Sequence, residues 1–255
     1  MMDVILYYGR RGSSGPVYTR NRPANRFVET NDNAFLFGVI FDQGIPAEKA
    51  WEAPYLLKQR LRHSSMKKLA RSSIPKIRRA LRGPTEGRGL QRFTTKVAQW
   101  LRTAARKLVN EYRGDAGNIW RDCSTAGEVI ERLEAFRGIG QKKAHMAVRI
   151  LHEGRGPHAL ARWRDINVAV DVHVKRVFKR AGLVNTAVPG EILAAASRLH
   201  PRFPGQLDEA TWSIGRNWCG PRRADCGGRR HAEGRPCPLH RVCPKKSRGP
   251  LSFGY

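Results

Sequence analysis

Acidic residues are scarce in this 255-residue chain, and that scarcity limits what the chain can bind. Only 21 Asp and Glu stand against 48 Lys and Arg, which leaves a formal net charge of +27. So large an excess of positive charge repels itself in a compact molecule, and it is typical of proteins whose partner is a polyanion. Nucleic acid is the first candidate, through phosphate contacts and counterion release. A membrane surface is the second.

Long hydrophobic runs are absent as well. No apolar segment approaches the roughly 20 residues that a membrane-spanning helix requires. The first residues, MMDVILYYGRRGSSG, contain only a short apolar patch and lack the layout of a signal peptide. We therefore predict a monomeric cytoplasmic protein without a membrane partner, associated with the nucleoid if its source is prokaryotic.

No segment alternates apolar and polar residues over the length of a strand, whereas apolar residues recur at helical spacing along most of the chain. One such stripe, from Val97 to Tyr112, is typical of an amphipathic helix. The continuously apolar segment 34–41, AFLFGVIF, follows residues that commonly cap helices. Residues 1–32 are mostly polar, and we predict an irregular packing segment there. The predicted fold class is all-α.

Two glycines interrupt the helical pattern in the sequence FRGIGQKKAH. Glycine permits positive φ angles and leaves neighbouring N–H groups accessible, and the N-terminus of a helix binds anions such as phosphate. Gly138, Ile139 and Gly140 therefore predict a helix-hairpin-helix that binds the DNA backbone without reading base sequence. A helix that ends at an ordinary C-cap glycine is the alternative.

Lys142 and Asp171 are the two candidates for chemistry. Lys142 lies in the first turn of the second predicted helix, where the helix dipole favours the free, nucleophilic amine. Its neighbour Lys143 illustrates the ordinary alternative, a solvated surface lysine. Asp171, in VAVDVHVKRV, lies among apolar and basic residues before a helix that begins at Val172. The ordinary role of Asp171 is the N-cap of that helix, and a capping carboxylate can also face a ligand.

Cysteine is rare except in one stretch near the C-terminus. Cys219, Cys226, Cys237 and Cys243 are separated by six, ten and five residues, while Cys123 stands apart. A disulfide framework is unusual in a cytoplasmic protein, so the cluster predicts a metal site. The short cysteine pairs of zinc sites are absent, and four more widely spaced thiolates suit a [4Fe–4S] cluster. Zinc, or a loop without metal, is the alternative.

Taken together, FRGIGQKKA and VAVDVHVKRV resemble the signature of the helix-hairpin-helix, Gly/Pro-rich-loop, aspartate superfamily of DNA glycosylases, and its endonuclease III branch in particular. That branch has the pattern L-P-G-V-G-x-K-x-A, followed by V-D-T/V-H. The resemblance covers roughly residues 30–245 and implies that Lys142 is the Schiff-base lysine and Asp171 the catalytic aspartate. Two features depart from the pattern. Arg137 replaces the hairpin proline, and the segment GRGPHALARWRDIN lengthens the separation of the two catalytic positions.

The resemblance also assigns the remaining site residues. The family has a [4Fe–4S] loop whose cysteine gaps are six, two and five residues, so the four clustered cysteines correspond to its ligands. The outer gaps match here, and the insertion RRHAEGRP lengthens the middle one. A gap-filling glutamine follows the first barrel helix of the family and corresponds to Gln43. Further DNA contacts would come from hairpin residues 138–140 and from Lys143. The implied partner is double-stranded DNA with a damaged or mismatched base.

By the same resemblance the chain forms two helical lobes. A six-helix barrel occupies residues 31–165, with the hairpin at about 128–151, and the lesion enters the cleft between the lobes. The N-terminal tail, 1–30, packs on an iron–sulfur cluster lobe, 166–255, which is thus built from both chain ends. The implied activity is that of a base-excision DNA glycosylase with AP lyase activity. A monofunctional glycosylase and a non-catalytic DNA-binding hairpin protein are the alternatives.

Overall fold

The structure, a computed structural model, describes residues 1–11, 18–83, 89–152, 166–231 and 234–244. Every regular element within these ranges is helical, which confirms the all-α prediction. The α-helices in chain order are α1 (Met2–Arg11), α2 (Arg22–Thr30), α3 (Asp32–Phe41), α4 (Ala47–Leu61), α5 (Met66–Arg71), α6 (Ile74–Arg82), α7 (Thr94–Glu111), α8 (Ala126–Glu134), α9 (Gln141–Ile150), α10 (Val172–Arg180), α11 (Pro189–Leu199) and α12 (Asp208–Asn217). Within the described ranges, no helix combines the length and the apolar character needed to cross a bilayer.

The chain divides into two compact units. The terminal unit consists of Met1–Ser14 and Ala161–Tyr255, and the central unit of Gly15–Leu160. One unit is therefore built from both chain ends. Residues 15–30, which the resemblance assigns to the N-terminal tail, belong to the central unit. Most of the insertion GRGPHALARWRDIN lies outside the described residues.

Residues 1–32 contain two helices, so the prediction of an irregular segment is wrong. Asn21 caps α2 by accepting a hydrogen bond from the Ala24 N–H at 3.2 Å, and Pro23 lies in the first turn, where its fixed φ suits a helix. Ala24 and Val28 are buried, and the residues between them are mostly polar. With only two buried apolar residues in nine, α2 has the composition of a loop, and its cap is the local signal for a helix.

The core of the central unit surrounds α3. Asn31 caps this helix by accepting a hydrogen bond from the Ala34 N–H at 2.9 Å, and residues 34–41 are all buried. α3 packs on α4 and α7. Gly38 permits a close approach to α4, because a Cβ there would lie 2.3 Å from the ring of Trp51. α3 therefore ends inside the core, and the loop that follows it is held from both sides.

Two further helices of the central unit follow their sequence patterns. α7 buries Val97, Leu101 and Leu108, as the predicted amphipathic stripe requires. α8 begins with a capping box, in which the Thr125 hydroxyl accepts from the Glu128 N–H and the Glu128 carboxylate accepts from the Thr125 N–H. The capping box determines where α8, the helix before the hairpin turn, begins.

The terminal unit has a core of its own. Each of its four helices contributes to that core, through residues such as Ile5, Phe178, Ala196 and Ile214, which are all nearly inaccessible to solvent. Trp218, at the start of the cysteine-containing segment, packs against the same residues. The segment that carries the four clustered cysteines is therefore part of a hydrophobic core.

Candidate functional site

The hairpin turn has one closed side and one open side. Gly138 has a φ of +89°, and a Cβ there would lie 2.5 Å from the Trp100 ring, so this position requires glycine for two reasons. Ile139 is buried, and its N–H donates to the Phe136 carbonyl at 3.0 Å, which closes the turn. Gly140 is the N-cap of α9, and within the described chain nothing lies within 4 Å of a Cβ placed on it. The open side is therefore at Gly140, at the N-terminus of α9.

Lys142 forms an ion pair that the sequence analysis did not anticipate. Its Nζ donates to Asp42 Oδ2 at 3.2 Å. The Lys142 side chain is 40% exposed, whereas that of Asp42 is only 13% exposed. Asp42 follows α3, and its N–H donates to the Gly38 carbonyl at 3.1 Å, which holds the residue on the helix end. The candidate nucleophile is therefore accessible while its partner carboxylate is held in place.

Lys143 lies inside the protein. It is 5% exposed, and its Nζ donates to the Ile40 carbonyl at 3.0 Å beside the ring of Trp100. Burial lowers the pKa of the Lys143 ammonium to about 8, although the nearby charge of Asp42 acts in the opposite direction. A side chain buried in this way leaves little surface for a phosphate. We therefore assign Lys143 to positioning the end of α3 rather than to the predicted DNA contact.

The loop after α3 presents Gln43 to solvent while its backbone is held. Gln91 is buried and donates from Nε2 to the carbonyls of Phe41, at 2.9 Å, and of Gln43, at 3.0 Å. Gly44 follows with a φ of +67°, a conformation that favours glycine. The exposed Gln43 side chain is compatible with its predicted contact to DNA. The sequence analysis did not identify Gln91 and Asp42, because the residues with which they form hydrogen bonds or ion pairs are distant in sequence.

Asp171 has the capping role that its position predicted. Its Oδ1 accepts hydrogen bonds from the N–H groups of His173, at 2.8 Å, and Val174, at 2.9 Å, at the start of α10. Its Oδ2 takes part in neither bond. The next polar side chain, His173, has its Nδ1 2.7 Å from a nitrogen of the Arg176 guanidinium. Burial lowers the pKa of His173, and the charge of Asp171 opposes that shift.

Two buried arginines of α10 hold the start of the cysteine segment. Arg176 donates to the carbonyls of Cys219, at 2.8 Å, and Gly215, at 3.1 Å. Arg180 donates to the carbonyls of Gly220, at 2.6 Å, and Pro221, at 3.2 Å. The same helix therefore begins at Asp171 and ends against the cysteine segment. In a chain this basic, the sequence does not distinguish these two arginines from surface residues.

All four clustered cysteines line a single cavity in the terminal unit, with a volume of about 780 Å³. Cys219, Cys226, Cys237 and Cys243 contribute their side chains to its wall, and Arg180 approaches Cys219 Sγ at 3.5 Å. Among the described residues, no three His, Cys, Asp or Glu side chains are close enough together to hold a single metal ion.

Four cysteine sulfurs along one cavity are a donor set that is compatible with a polynuclear cluster. Burial, with the three neighbouring cysteines, raises the pKa of the Cys237 thiol to about 12. Without a cation the Cys237 sulfur therefore resists becoming a thiolate, and a bound metal centre would reverse that preference. A [4Fe–4S] cluster takes one thiolate on each of its irons, so its ligands are spread around a volume. Cys123 belongs to the central unit, where it is buried.

Comparison with known proteins identifies the fold. No family model matches the sequence, and no curated protein matches it significantly. Among solved structures, a non-covalent endonuclease III–DNA complex matches with a TM-score of 0.63 and 15% identity, over 96% of this chain and 92% of that one.

Two further structures match in the same way. A trapped endonuclease III–DNA covalent intermediate, an estranged-adenine complex, matches with a TM-score of 0.60 and 16% identity, over 89% of this chain and 91% of that one. A thermostable thymine-DNA glycosylase matches with a TM-score of 0.58 and 13% identity, over 88% of each chain. The chain therefore has the all-helical, helix-hairpin-helix fold of endonuclease III and thymine-DNA glycosylase.

Proposed function

We propose that this protein is a base-excision DNA glycosylase with AP lyase activity, a monomer that acts on duplex DNA containing a damaged or mismatched base. The observation that carries the proposal is Lys142, an accessible amine in the first turn after the hairpin, in a chain with the fold of endonuclease III. The net charge of +27 supports a polyanionic partner. We place its action in the cytoplasm, on the nucleoid if the source is prokaryotic.

Binding begins at the hairpin and at the loop after α3. The open side of the hairpin at Gly140 offers the N-terminus of α9 to a DNA phosphate. A base inside a duplex is inaccessible to side chains, so the target nucleotide must be rotated out of the helix. Gln43, exposed on a loop whose backbone is held by Gln91, would fill the space that the base vacates.

The chemistry follows from an amine and a carboxylate. Breaking the N-glycosidic bond develops positive charge on the sugar, which the Asp171 carboxylate stabilises. With the help of Asp171, the Lys142 ammonium gives up a proton, which the departing base takes up. The free amine bonds to C1′ as the base leaves with the bonding electrons, and opening of the sugar ring gives an imine. Loss of a C2′ proton then expels the 3′ phosphate and nicks the strand. Asp42 holds the Lys142 amine in place before the substrate arrives.

We further propose that the four clustered cysteines hold a [4Fe–4S] cluster, with zinc as the alternative. The single cavity of about 780 Å³ that they line supports a group larger than one ion. When bound, such a cluster cross-links the four thiolates and so orders the segment between Cys219 and Cys243. We assign it no step in base removal.

Borohydride trapping tests the proposed activity. Labelled duplexes, each with one damaged or mismatched base, are incubated with the protein and reduced, which converts an imine into a stable covalent adduct. We expect an adduct on one class of duplex that disappears in Lys142→Gln and persists in Lys49→Gln, a matched change at an exposed lysine. Asp171→Asn should slow base release with little effect on affinity.

The other outcomes separate the alternatives. Alkali-labile abasic sites without an adduct would identify a monofunctional glycosylase and remove the role of Lys142. Binding without product on any duplex, unaffected by Asp171→Asn, would identify a non-catalytic DNA-binding protein.

A further inference from the structure

A long internal segment of the central unit is almost free of acidic residues. From Ala53 to Asn110 the sequence contains sixteen Lys and Arg and a single acidic residue, Glu86. Helices α5 and α6 and all but the last residue of α7 lie in this segment, and α5 and α6 both pack on α7. Charge of one sign is therefore concentrated in one part of the fold, which self-repulsion alone does not favour.

Two neighbouring concavities collect these charges. The first, of about 670 Å³, lies between α5 and α7 and is lined by Lys67, Arg71, Arg102 and Arg106. The second, of about 520 Å³, is lined by Lys68, Lys76 and again Arg71. We call the set of six residues the α5–α7 cation surface: Lys67, Lys68, Arg71, Lys76, Arg102 and Arg106. Among the residues that the structure describes, no acidic one lines either concavity.

The charges of this surface are not neutralised within the described part of the chain. None of its six residues belongs to an ion pair there; the pairs that do form involve Arg20, Lys107, Arg121 and Lys142. Arg106 is nevertheless held in place, since its Nε donates to the Ala70 carbonyl at 3.3 Å.

A neighbouring histidine responds to the same charges. His63 lines the second concavity, and its pKa is lowered by burial and by the charges of Lys68 and Lys76. The surface therefore has a positive potential that is available to an external anion.

This surface faces away from the hairpin. Trp100 on α7 contacts Gly138 and lies beside Lys143. At about 100° per residue, Arg102 and Arg106 project about 160° and 120° around the helix axis from Trp100. A phosphate on the α5–α7 cation surface is therefore distinct from one at the open side of the hairpin.

We propose that the α5–α7 cation surface is a second DNA-binding site, which holds the sugar–phosphate backbone of duplex DNA independently of the hairpin and of any lesion. The inference rests on the proposed function for the identity of the polyanion. Lysine and arginine without acidic partners bind phosphates through charge and counterion release, and such contacts carry no sequence information. Two adjacent concavities that share Arg71 suit successive phosphates of one strand better than a single small anion.

Two triple variants with equal charge changes test the site. Lys67→Gln, Lys68→Gln and Arg71→Gln together remove three exposed charges from α5, while Arg22→Gln, Arg26→Gln and Lys49→Gln remove three exposed charges elsewhere in the central unit. Affinity for an end-labelled, lesion-free duplex is measured as a function of salt. The α5 variant should bind at least about tenfold more weakly, and its slope of log K against log salt should be smaller by about 0.9 per lost phosphate contact. The control variant should retain most of the affinity and slope.

The possible results distinguish a specific DNA-binding site from an effect of total charge. Arg71→Lys, which retains the charge, should bind like the wild type. Equal losses in the two triple variants would show that only total charge matters and would overturn the site, as would an unchanged α5 variant. Borohydride trapping with the same proteins keeps the two proposals apart. A selective loss of binding to lesion-free DNA in the α5 variant, without any adduct in the trapping experiment, would retain this site and reject the glycosylase activity. An adduct without that selective loss would retain the glycosylase activity and reject this site.

Discussion

At the scale of single residues, the two hairpin glycines have different reasons to be glycine. Gly138 combines a positive φ with contact to Trp100, whereas Gly140 has an extended backbone and open space where a Cβ would lie. The first glycine is needed by the fold, and the second leaves room for a ligand. Their alanine substitutions should therefore affect different measurements.

Gly138→Ala should lower the free energy of unfolding by about 2–5 kcal/mol. A left-handed backbone costs an L-residue about 1–2 kcal/mol, and overlap with Trp100 adds about 1–3 kcal/mol. Gly140→Ala should change the stability by less than about 0.5 kcal/mol but weaken the binding of duplex DNA. Urea denaturation and DNA titration of both variants check this, and an equal loss of stability in the two would contradict it.

Lys143 should make stability depend on pH in the alkaline range. Burial lowers its pKa to about 8, against about 10.4 in an unfolded chain. Between these two values the unfolded state binds more protons than the folded state, so the free energy of unfolding should rise with pH. The rise has an upper limit on the order of 3 kcal/mol.

Lys143→Met should remove that rise. Urea denaturation between about pH 7 and pH 10 gives the free energies of unfolding of the wild type and the variant. The contributions of other titrating groups cancel in the difference between these two free energies. Lys142→Gln, at the partly exposed neighbouring lysine, should keep most of the pH dependence, because burial lowers the pKa of Lys143 more than the charge of Lys142 does. If the free energies of unfolding of the wild type and Lys143→Met changed with pH in parallel, Lys143 would titrate in the folded protein as it does in the unfolded chain.

At the scale of elements, α10 links two parts of the terminal unit that are distant in sequence. Its N-terminus is capped by Asp171, and its buried arginines hold the carbonyls of residues 219–221. Gly215 of α12 packs so closely on α10 that a Cβ there would lie 2.6 Å from the His173 carbonyl oxygen. The carboxylate and the cysteine segment are thus positioned by the same helix.

Arg180→Met should loosen the cysteine segment. The change leaves the carbonyls of Gly220 and Pro221 without this donor, and hydrogen bonds to charged groups are worth about 1.5–3 kcal/mol each. We expect faster reaction of the cysteines with a thiol reagent and, where the proposed [4Fe–4S] cluster is bound, less iron retained per chain. Lys175→Met, a half-buried lysine of the same helix, is the control and should change neither. Thiol reactivity equal to that of the wild type would show that Arg180 does not hold the segment.

At the scale of the whole molecule, the net charge of +27 is the dominant electrostatic feature. Repulsion among like charges destabilises the compact state, and salt screens it. The described ion pairs are few and most include an exposed partner. Added salt therefore weakens little favourable attraction between opposite charges.

Raising the ionic strength should therefore stabilise the protein without DNA. A change from about 0.01 M to about 0.15 M shortens the Debye length from about 30 Å to about 8 Å, and Tm should rise by roughly 2–4 °C for each kcal/mol gained. The triple variant Lys67→Gln, Lys68→Gln and Arg71→Gln should show a smaller rise, because three positive charges have been removed. A fall in Tm with salt would mean that attraction between surface charges outweighs repulsion.

The sequence by itself determined the features that depend on a few neighbouring residues. The all-α class, the helix from Thr94 to Glu111, the hairpin glycines and the capping role of Asp171 agree with the structure. Each depends on hydrogen bonds or on apolar spacing within one or two helical turns. Such interactions depend only on residues that are close together in sequence, so a periodic pattern or a capping side chain is sufficient to predict them.

The tertiary structure alone decided which of two adjacent lysines is buried. Lys142 and Lys143 have the same chemistry, but contacts across 100 residues or more pair the first with Asp42 and bury the second on the Ile40 carbonyl. It also decided that all four clustered cysteines line one cavity, and that a polar N-terminal segment is helical. Burial depends on how distant elements pack, and no local pattern contains that information.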